Sequence, residues 1–455
     1  MDCLEIKDPI KPRVISWVPC PVQKLESPLD TYRRLSYLQL TSDPLPQSTK
    51  SAPFEIDLQC LHVSSETCAK AKKAFDQAGS LISSAIFFRE PVRVNATFLS
   101  FCESGGECGS SPARLIPLLN EDGMVRLHPQ SLVKQLDMPI SPEYSHSDIL
   151  SVFNADAPFW FEGDDNPIDM NQADFIFHEF MHGLGFYSNW SKHIPSIDAL
   201  VPDPSLLLAD ETLVIIDPQN NAVIETKFLE NVLDKYMVIL NPESEYNLFP
   251  TSDLTRQFNK IEVNSTEGLI GSPEFGPAFD MSRLSVLPGT LGIGLVGPQG
   301  VYDDFVILET SLVPFQRGSS ISHVDYNSYT DTPDFLMRYM QDRGVTMTDM
   351  VLKGGGDSPL GPKLLRIMEQ IGYTIIKTNE TESSAAGDFR RMVNSLQHNA
   401  HATQSSTTAK PYLHSTPHSH SSTGSRFAEP TFLMVIIGSL CLGILLYLEK
   451  PFSLL

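Results

Sequence analysis

The residues best suited to chemistry stand together at His178-Glu179-Phe180-Met181-His182-Gly183-Leu184-Gly185-Phe186. Two imidazoles at this spacing project from one face of a helix about a turn apart, where both can hold one Zn²⁺. Glu179 is then placed to act as general base on water activated by the metal. The flanks read as helix, with Asn171 as N-cap and Ala173, Ile176, Phe177, Phe180 and Leu184 as an apolar face opposite the histidines. Gly185 suits the turn that ends it. A chance H-E-x-x-H arises in a chain of this length at roughly the one-in-a-hundred level, and a buried helix can carry histidines with structural partners only. The extra glycine of H-E-x-x-H-x-x-G, where the chain must turn back towards a metal, favours the zinc site.

Two histidines do not complete a catalytic zinc site, which normally takes three protein ligands and leaves a fourth position for water. Ser188 stands six residues after His182, where a compact motif would supply the third histidine. The third ligand must come from farther on. Outside the C-terminal tail the candidates are His62, His128, His146, His193 and His323.

The elements around this motif read in order. Residues 1–50, rich in proline and polar residues, are expected to form an irregular arm or pro-segment. Alternation over Phe54–Val63 predicts a strand, the apolar spacing over Thr67–Ile86 an amphipathic helix, and Pro91–Phe101 a second strand. Strand, helix and strand imply a crossover and a parallel pair opening a mixed sheet. Residues 102–150 read as loops and edge strands, and Trp160 and Phe161 as packing residues. Leu206–Ile216 and Ala222–Leu240 mix short strand and helix patterns. The glycine-rich Gly289–Gly300 reads as turns between strands, not as a phosphate loop, because no Gly-Lys-Ser/Thr follows.

His323 lies in Ser319–Met340, SSISHVDYNSYTDTPDFLMRYM. With His178, His182, Gly185 and Phe186 before it and Met337 after it, the chain resembles the metzincin metallopeptidases, and among them the leishmanolysin-like branch. That branch has H-E-x-x-H-x-x-G-F, an insertion, a third histidine and then a Met-turn. The likeness spans about residues 55 to 375. It implies an α+β, metzincin-like zincin with a mixed sheet, an active-site helix and a large insertion before the third ligand. It further implies an upper catalytic subdomain over 51–186 and a lower, mainly irregular one over 187–377. His323 is the third ligand on this reading; the 137-residue insertion, 186–322, leaves His193 or a downstream Glu as rivals, and a Glu would make the site gluzincin-like. Met337 matches the Met-turn, with Met340 the nearest substitute. Tyr339, two residues on, matches a tyrosine that stabilises the oxyanion in some metzincins. Asp325 either orients an imidazole or belongs to a surface turn. Leu360–Ile371, ending at Gly372, looks like the helix that closes the lower subdomain. The implied activity is zinc-dependent endopeptidase cleavage of protein or peptide substrates, without a covalent intermediate. A non-catalytic adhesion or binding ectodomain with a structural zinc is the alternative from another class.

Composition bounds the partners and the compartment. The 455 residues carry 33 Lys plus Arg against 55 Asp plus Glu, a net charge of -22, which excludes nucleic acid as an expected partner. Six cysteines precede Cys441, and their spacing suggests Cys60 with Cys68, Cys102 with Cys108 and Cys3 with Cys20, among 15 possible pairings. With sequons at Asn95, Asn189, Asn264 and Asn379, they favour an oxidising, extracellular or luminal compartment. No signal peptide is visible in residues 1–23. Residues 378–430 read as a Ser/Thr/His-rich stalk. The uncharged 18 residues 431–448 read as a membrane anchor: a transmembrane segment, a GPI signal or a tail anchor.

Overall fold

Strict alternation sets the first strand, Phe54–Leu61: Phe54, Ile56, Leu58 and Cys60 turn inward while Glu55, Asp57, Gln59 and Leu61 face solvent. Ser64 then accepts from the Thr67 amide at 3.0 Å and starts the helix Ser65–Ala85, which buries Ala71, Phe75, Ala78 and Ile82. The chain returns as Val92–Leu99, parallel to the first strand with Phe54 opposite Val92 and Leu61 opposite Leu99. Ile149–Asn154 adds a third parallel strand and Gly109–Ser110 an antiparallel edge. This mixed sheet matches the strand–helix–strand pattern, and a disulfide between Cys60 and Cys68 ties its first strand to the helix. The computed structural model describes residues 2–6, 15–19, 53–99, 109–138 and 144–376, apart from 158, 163, 165–170, 173–174, 195–196, 209–212, 217–222, 241–247, 263–265 and 343. The pairings of Cys102 with Cys108 and Cys3 with Cys20 lie outside the described side chains, as do the stalk and the segment 431–448. Among the described residues no helix is long and apolar enough to cross a membrane.

A second sheet is built on the hairpin Leu115–Leu119 and Val125–Pro129. Glu230–Asn231 joins one side in parallel, and a hairpin of Asp2–Ile6 with Ile15–Pro19 joins the other through Leu4 and Leu115. The arm expected to be irregular therefore contributes two strands. They pair with each other, and only Leu4 reaches the rest of the sheet, at the distant Leu115, of which local composition gives no hint.

Residues 187–376 are also more regular than expected. Leu248–Pro250, Met237–Leu240, Leu291–Val296 and Tyr302–Ile307 form a four-stranded antiparallel sheet in that order. Leu291–Val296 runs through the glycine-rich stretch expected to hold only turns. Its glycines serve close packing: a Cβ at Gly292 would sit 2.7 Å from the Val306 carbonyl oxygen, and one at Gly294 would sit 2.6 Å from the Tyr302 ring. Pro362–Ile371 forms the predicted closing helix, with Leu364, Ile367, Met368 and Ile371 buried. Thr374–Ile375 then pairs with Ile86–Phe87, next to the first helix. The protein is α+β, and one continuous core runs from Phe75 and Ile82 through Phe180 and Trp190 to Met337 and Leu364. Each large apolar side chain buried there contributes about 1.5–3 kcal/mol.

Candidate metal centre

The helix Phe175–Gly183 carries the motif. Asn171 is not its cap: with Gln172 it forms a short strand parallel to Phe159–Trp160, so the chain is still extended there. Phe180 stacks on Phe54 at 5.5 Å and meets Phe75 edge-on at 5.7 Å, which fixes the helix against the mixed sheet. Phe161 is buried beside Phe98, the packing role expected of it. Gly185 takes φ of 109°, a conformation that favours glycine, and a Cβ there would meet Pro129 at 2.9 Å. This turn carries Phe186 back beneath the helix end.

Backbone carbonyls orient all three imidazoles. The Nδ1–H of His178 donates to Leu336 O at 2.8 Å, that of His182 to Phe186 O at 2.6 Å, and that of His323 to Ser319 O at 2.9 Å. A carbonyl only accepts, so each Nδ1 holds the proton and each neutral ring keeps a lone pair on Nε2. The three Nε2 atoms converge, 3.0 Å apart for His178 with His323, 3.0 Å for His182 with His178, and 3.1 Å for His182 with His323. Lone pairs at that range repel one another unless a cation lies among them. Three nitrogens held tetrahedrally at 2.0–2.1 Å from zinc would stand about 3.3 Å apart, close to this spacing. Among the described residues this is the only group of three or more such donors. Burial pushes His178 down to about 3 and His182 to about 4, and puts His323 well below the ordinary histidine range, with the neighbouring rings adding to the fall for His178 and His323. The rings are thus in the neutral form that ligates.

Tertiary pairing delivers the third imidazole. Leu308 bridges Val324 antiparallel just past the strand Tyr302–Ile307. Glu309 N donates to His323 O at 2.8 Å, and Ile321 N to Glu309 O at 2.8 Å. On the other side Val324 N donates to Met337 O at 2.9 Å. His323 is therefore held between a sheet edge and the turn Phe335–Met337, whose Leu336 carbonyl also orients His178. Two residues before His323, the buried Ile321 adopts φ of 57°. For a β-branched residue that costs on the order of 1–3 kcal/mol, which the surrounding packing must offset.

Glu179 is 7% exposed. Burial raises its carboxyl to about 8, against the opposing pull of the Ser111 backbone N–H. Ser111 follows the edge strand Gly109–Ser110, and its hydroxyl lies 2.7 Å from that of Ser151. The general-base candidate therefore sits between the histidine pair and the rim of the mixed sheet.

The remaining candidates take other places. Met337 is fully buried in the turn behind His178, whereas Met340 is 44% exposed and unsuited to substitute for it. Tyr339 is half-buried with its ring 5.8 Å from Tyr326, and burial raises its phenol. Asp325 is buried and caps the short helix Tyr326–Tyr329 through Ser328 N at 2.7 Å, so it is neither an imidazole partner nor a surface turn. His193 donates from Nε2 to Asn189 O at 2.7 Å and faces Arg317 with Nδ1. His62 and His146 are exposed, and His128 is buried in the second sheet. The described carboxylates stay outside the histidine group. Sequence reasoning missed the three orienting carbonyls, because every residue offers one. It also missed Asp234, a buried carboxylate pushed up to about 7 by burial and by Glu230. The only signal for it was an acid inside an apolar run, Val232-Leu233-Asp234.

These features define a mixed α+β protein with three buried or half-buried histidines gathered on one point. The chain matches the SPBPB7E8-like family over residues 29–410 and belongs to that family. It is similar, at 27% identity over 387 residues, to "Uncharacterized protein PB7E8.01" of Schizosaccharomyces pombe, an alignment covering 73% of this chain and 65% of the yeast protein. The chain thus spans about two thirds of that relative's length. No solved structure matches it.

Proposed function

We propose that this chain is a zinc-dependent endopeptidase of metzincin-like fold, with His178, His182 and His323 as ligands and Glu179 as general base. The observation that carries the reading is the convergence of three Nε2 lone pairs at 3.0–3.1 Å, with a buried carboxyl one residue from the first of them. Zinc held there would polarise a scissile carbonyl and lower the pKa of water. Glu179, its carboxylate form favoured by the nearby cation, would take a proton from water and give it to the leaving amine, so that the peptide bond would be hydrolysed with no covalent intermediate. Leu336, Phe186 and Ser319 keep the rings aimed through their carbonyls. Further support for the metzincin likeness comes from the buried Met337 behind His178 and from the antiparallel edge on a parallel sheet. A gluzincin-like Glu ligand has less support, since no described carboxylate joins the group. A purely structural zinc has less support as well, because three ligands leave a position open and such a site has no use for Glu179.

The same reading extends to location. The Cys60–Cys68 disulfide supports an oxidising compartment, and Asn95 presents its sequon on the exposed face of the sheet. Residues 431–448 would tether the catalytic part on the extracellular or luminal side of a membrane.

Metal analysis with a casein or peptide cleavage assay on wild type and Glu179→Gln tests the assignment. One zinc per chain is expected in both, with cleavage reduced by about 10²–10⁴ in the variant. Equal cleavage by the two would remove Glu179 from the mechanism, and a wild-type chain without zinc would remove the metal centre.

A further inference from the structure

We infer that Asp234, supplied by the insertion, is a positioning residue that clasps the chain leaving the histidine helix and so sets the geometry of the metal centre. This rests on the zinc reading above. Asp234 is fully buried in the turn Leu233–Tyr236. Its Oδ1 accepts from Ser188 Oγ at 2.5 Å, and its Oδ2 accepts from the backbone N–H groups of Asn189 at 2.9 Å and Asn231 at 2.8 Å. Asn231 adds a second grip, donating from Nδ2 to Tyr187 O at 3.3 Å. Residues 187–189 are therefore held at consecutive positions by one short piece of the insertion.

What they adjoin gives the clasp its purpose. Phe186, one residue earlier, supplies the carbonyl that orients His182. Ser188 N donates to Ser322 Oγ at 3.3 Å, and Ser322 precedes His323. The clasp thus bears on two of the three rings from one carboxylate, without touching either. Ser188 occupies the place of a compact third ligand, and here it acts as the peg between Asp234 and the strand of the remote histidine.

Asp234→Asn keeps the size but turns one acceptor into a donor, opposing either the Ser188 hydroxyl or two backbone N–H groups. Full-length wild type, Asp234→Asn and Ser188→Ala would be compared by chelator competition for zinc and by the visible spectrum of the cobalt-substituted protein, with circular dichroism as the check on folding. For Asp234→Asn a loss of zinc affinity of about 10–100-fold is expected, typical of groups that support ligands from behind, together with a shifted cobalt spectrum. Ser188→Ala should lose affinity in the same direction by less. A folded Asp234→Asn with wild-type affinity and spectrum would overturn the inference while leaving the zinc reading intact. Should Asp234→Asn fail to fold, Ser188→Ala decides alone: an unchanged affinity and spectrum there overturns it. A wild-type chain that binds neither metal defeats the zinc reading itself.

Discussion

His178 and His182 reach the three-histidine group from one turn of one helix, whereas His323 arrives from 145 positions away. The first pair is spaced by one helical turn, and His182 is aimed locally by the turn at Gly185 and a carbonyl four residues on, whereas the carbonyl that aims His178 comes from the distant Leu336. The third is aimed by a sheet edge at Leu308 and Glu309, the turn at Met337 and a strained Ile321. Local order thus sets the spacing of two ligands, and long-range pairing brings in the third and orients His178, at a cost in strain and chain entropy.

The sharpest way to break this comparison is to remove one ligand from each side. His182→Ala and His323→Ala should each lower zinc affinity by at least about 100-fold, equivalent to ~2.7 kcal/mol, and abolish cleavage. Equilibrium dialysis against a chelator measures both. If His323→Ala holds zinc as tightly as wild type, the remote half is not part of the centre.

A second test loosens the insertion from the second sheet without touching a ligand. Arg126 is fully buried, pairs with the equally buried Glu230 of the insertion at 2.8 Å, and also meets Asp122 and Ser252. Arg126→Met strands the Glu230 carboxylate, and about 3–5 kcal/mol of stability should disappear in urea denaturation. A loss below about 1 kcal/mol would mean that this buried pair does not hold the insertion in place.

A third test leaves the histidine group alone and reads a pH slope from the second sheet. His128 donates from Nδ1 to Arg126 O at 3.1 Å, and Asn120 Nδ2 lies 3.3 Å from its Nε2, the arrangement of a neutral ring. Burial, with Arg126 and Lys235 nearby and Glu121 opposing them, lowers its pKa to about 4 from an ordinary 6.5. The unfolded chain therefore binds a proton that the folded one refuses between those values. Stability from this group is complete above pH 6.5 and falls as pH drops towards 4, by up to ~3 kcal/mol. His128→Gln should flatten that slope in denaturation curves taken across the range, and an unchanged slope would clear His128 of any part in it.

The same contrast explains what could be read in the sequence. The crossover strand–helix–strand and the closing helix were legible because each follows a periodic apolar pattern over eight or more residues. The histidine helix was legible from its ligand spacing. His323 was singled out from the other histidines only through a family likeness, since nothing near it in sequence announces its neighbours. The sheet within 187–376 was not legible. Its strands have three to six residues, one of them is glycine-rich for close approach to Val306 and Tyr302, and their partners are distant. Asn171 misled because an N-cap residue type does not say whether the chain is already turning. Asp325 misled for the converse reason, capping a short helix that no pattern marked.

The return of Thr374–Ile375 to Ile86–Phe87 bears on how the protein is made. Translation proceeds at about 5–20 residues per second, so the 145 positions from the first ligand to the third take roughly 7–30 s to emerge. The strand Thr374–Ile375 follows later still. Until then the apolar residues that Pro362–Ile371 covers in the folded chain lack that helix, and the pair of imidazoles lacks its third. The three-histidine group is therefore complete only after residue 323 has emerged, and the ladder of Thr374–Ile375 with Ile86–Phe87 closes after that.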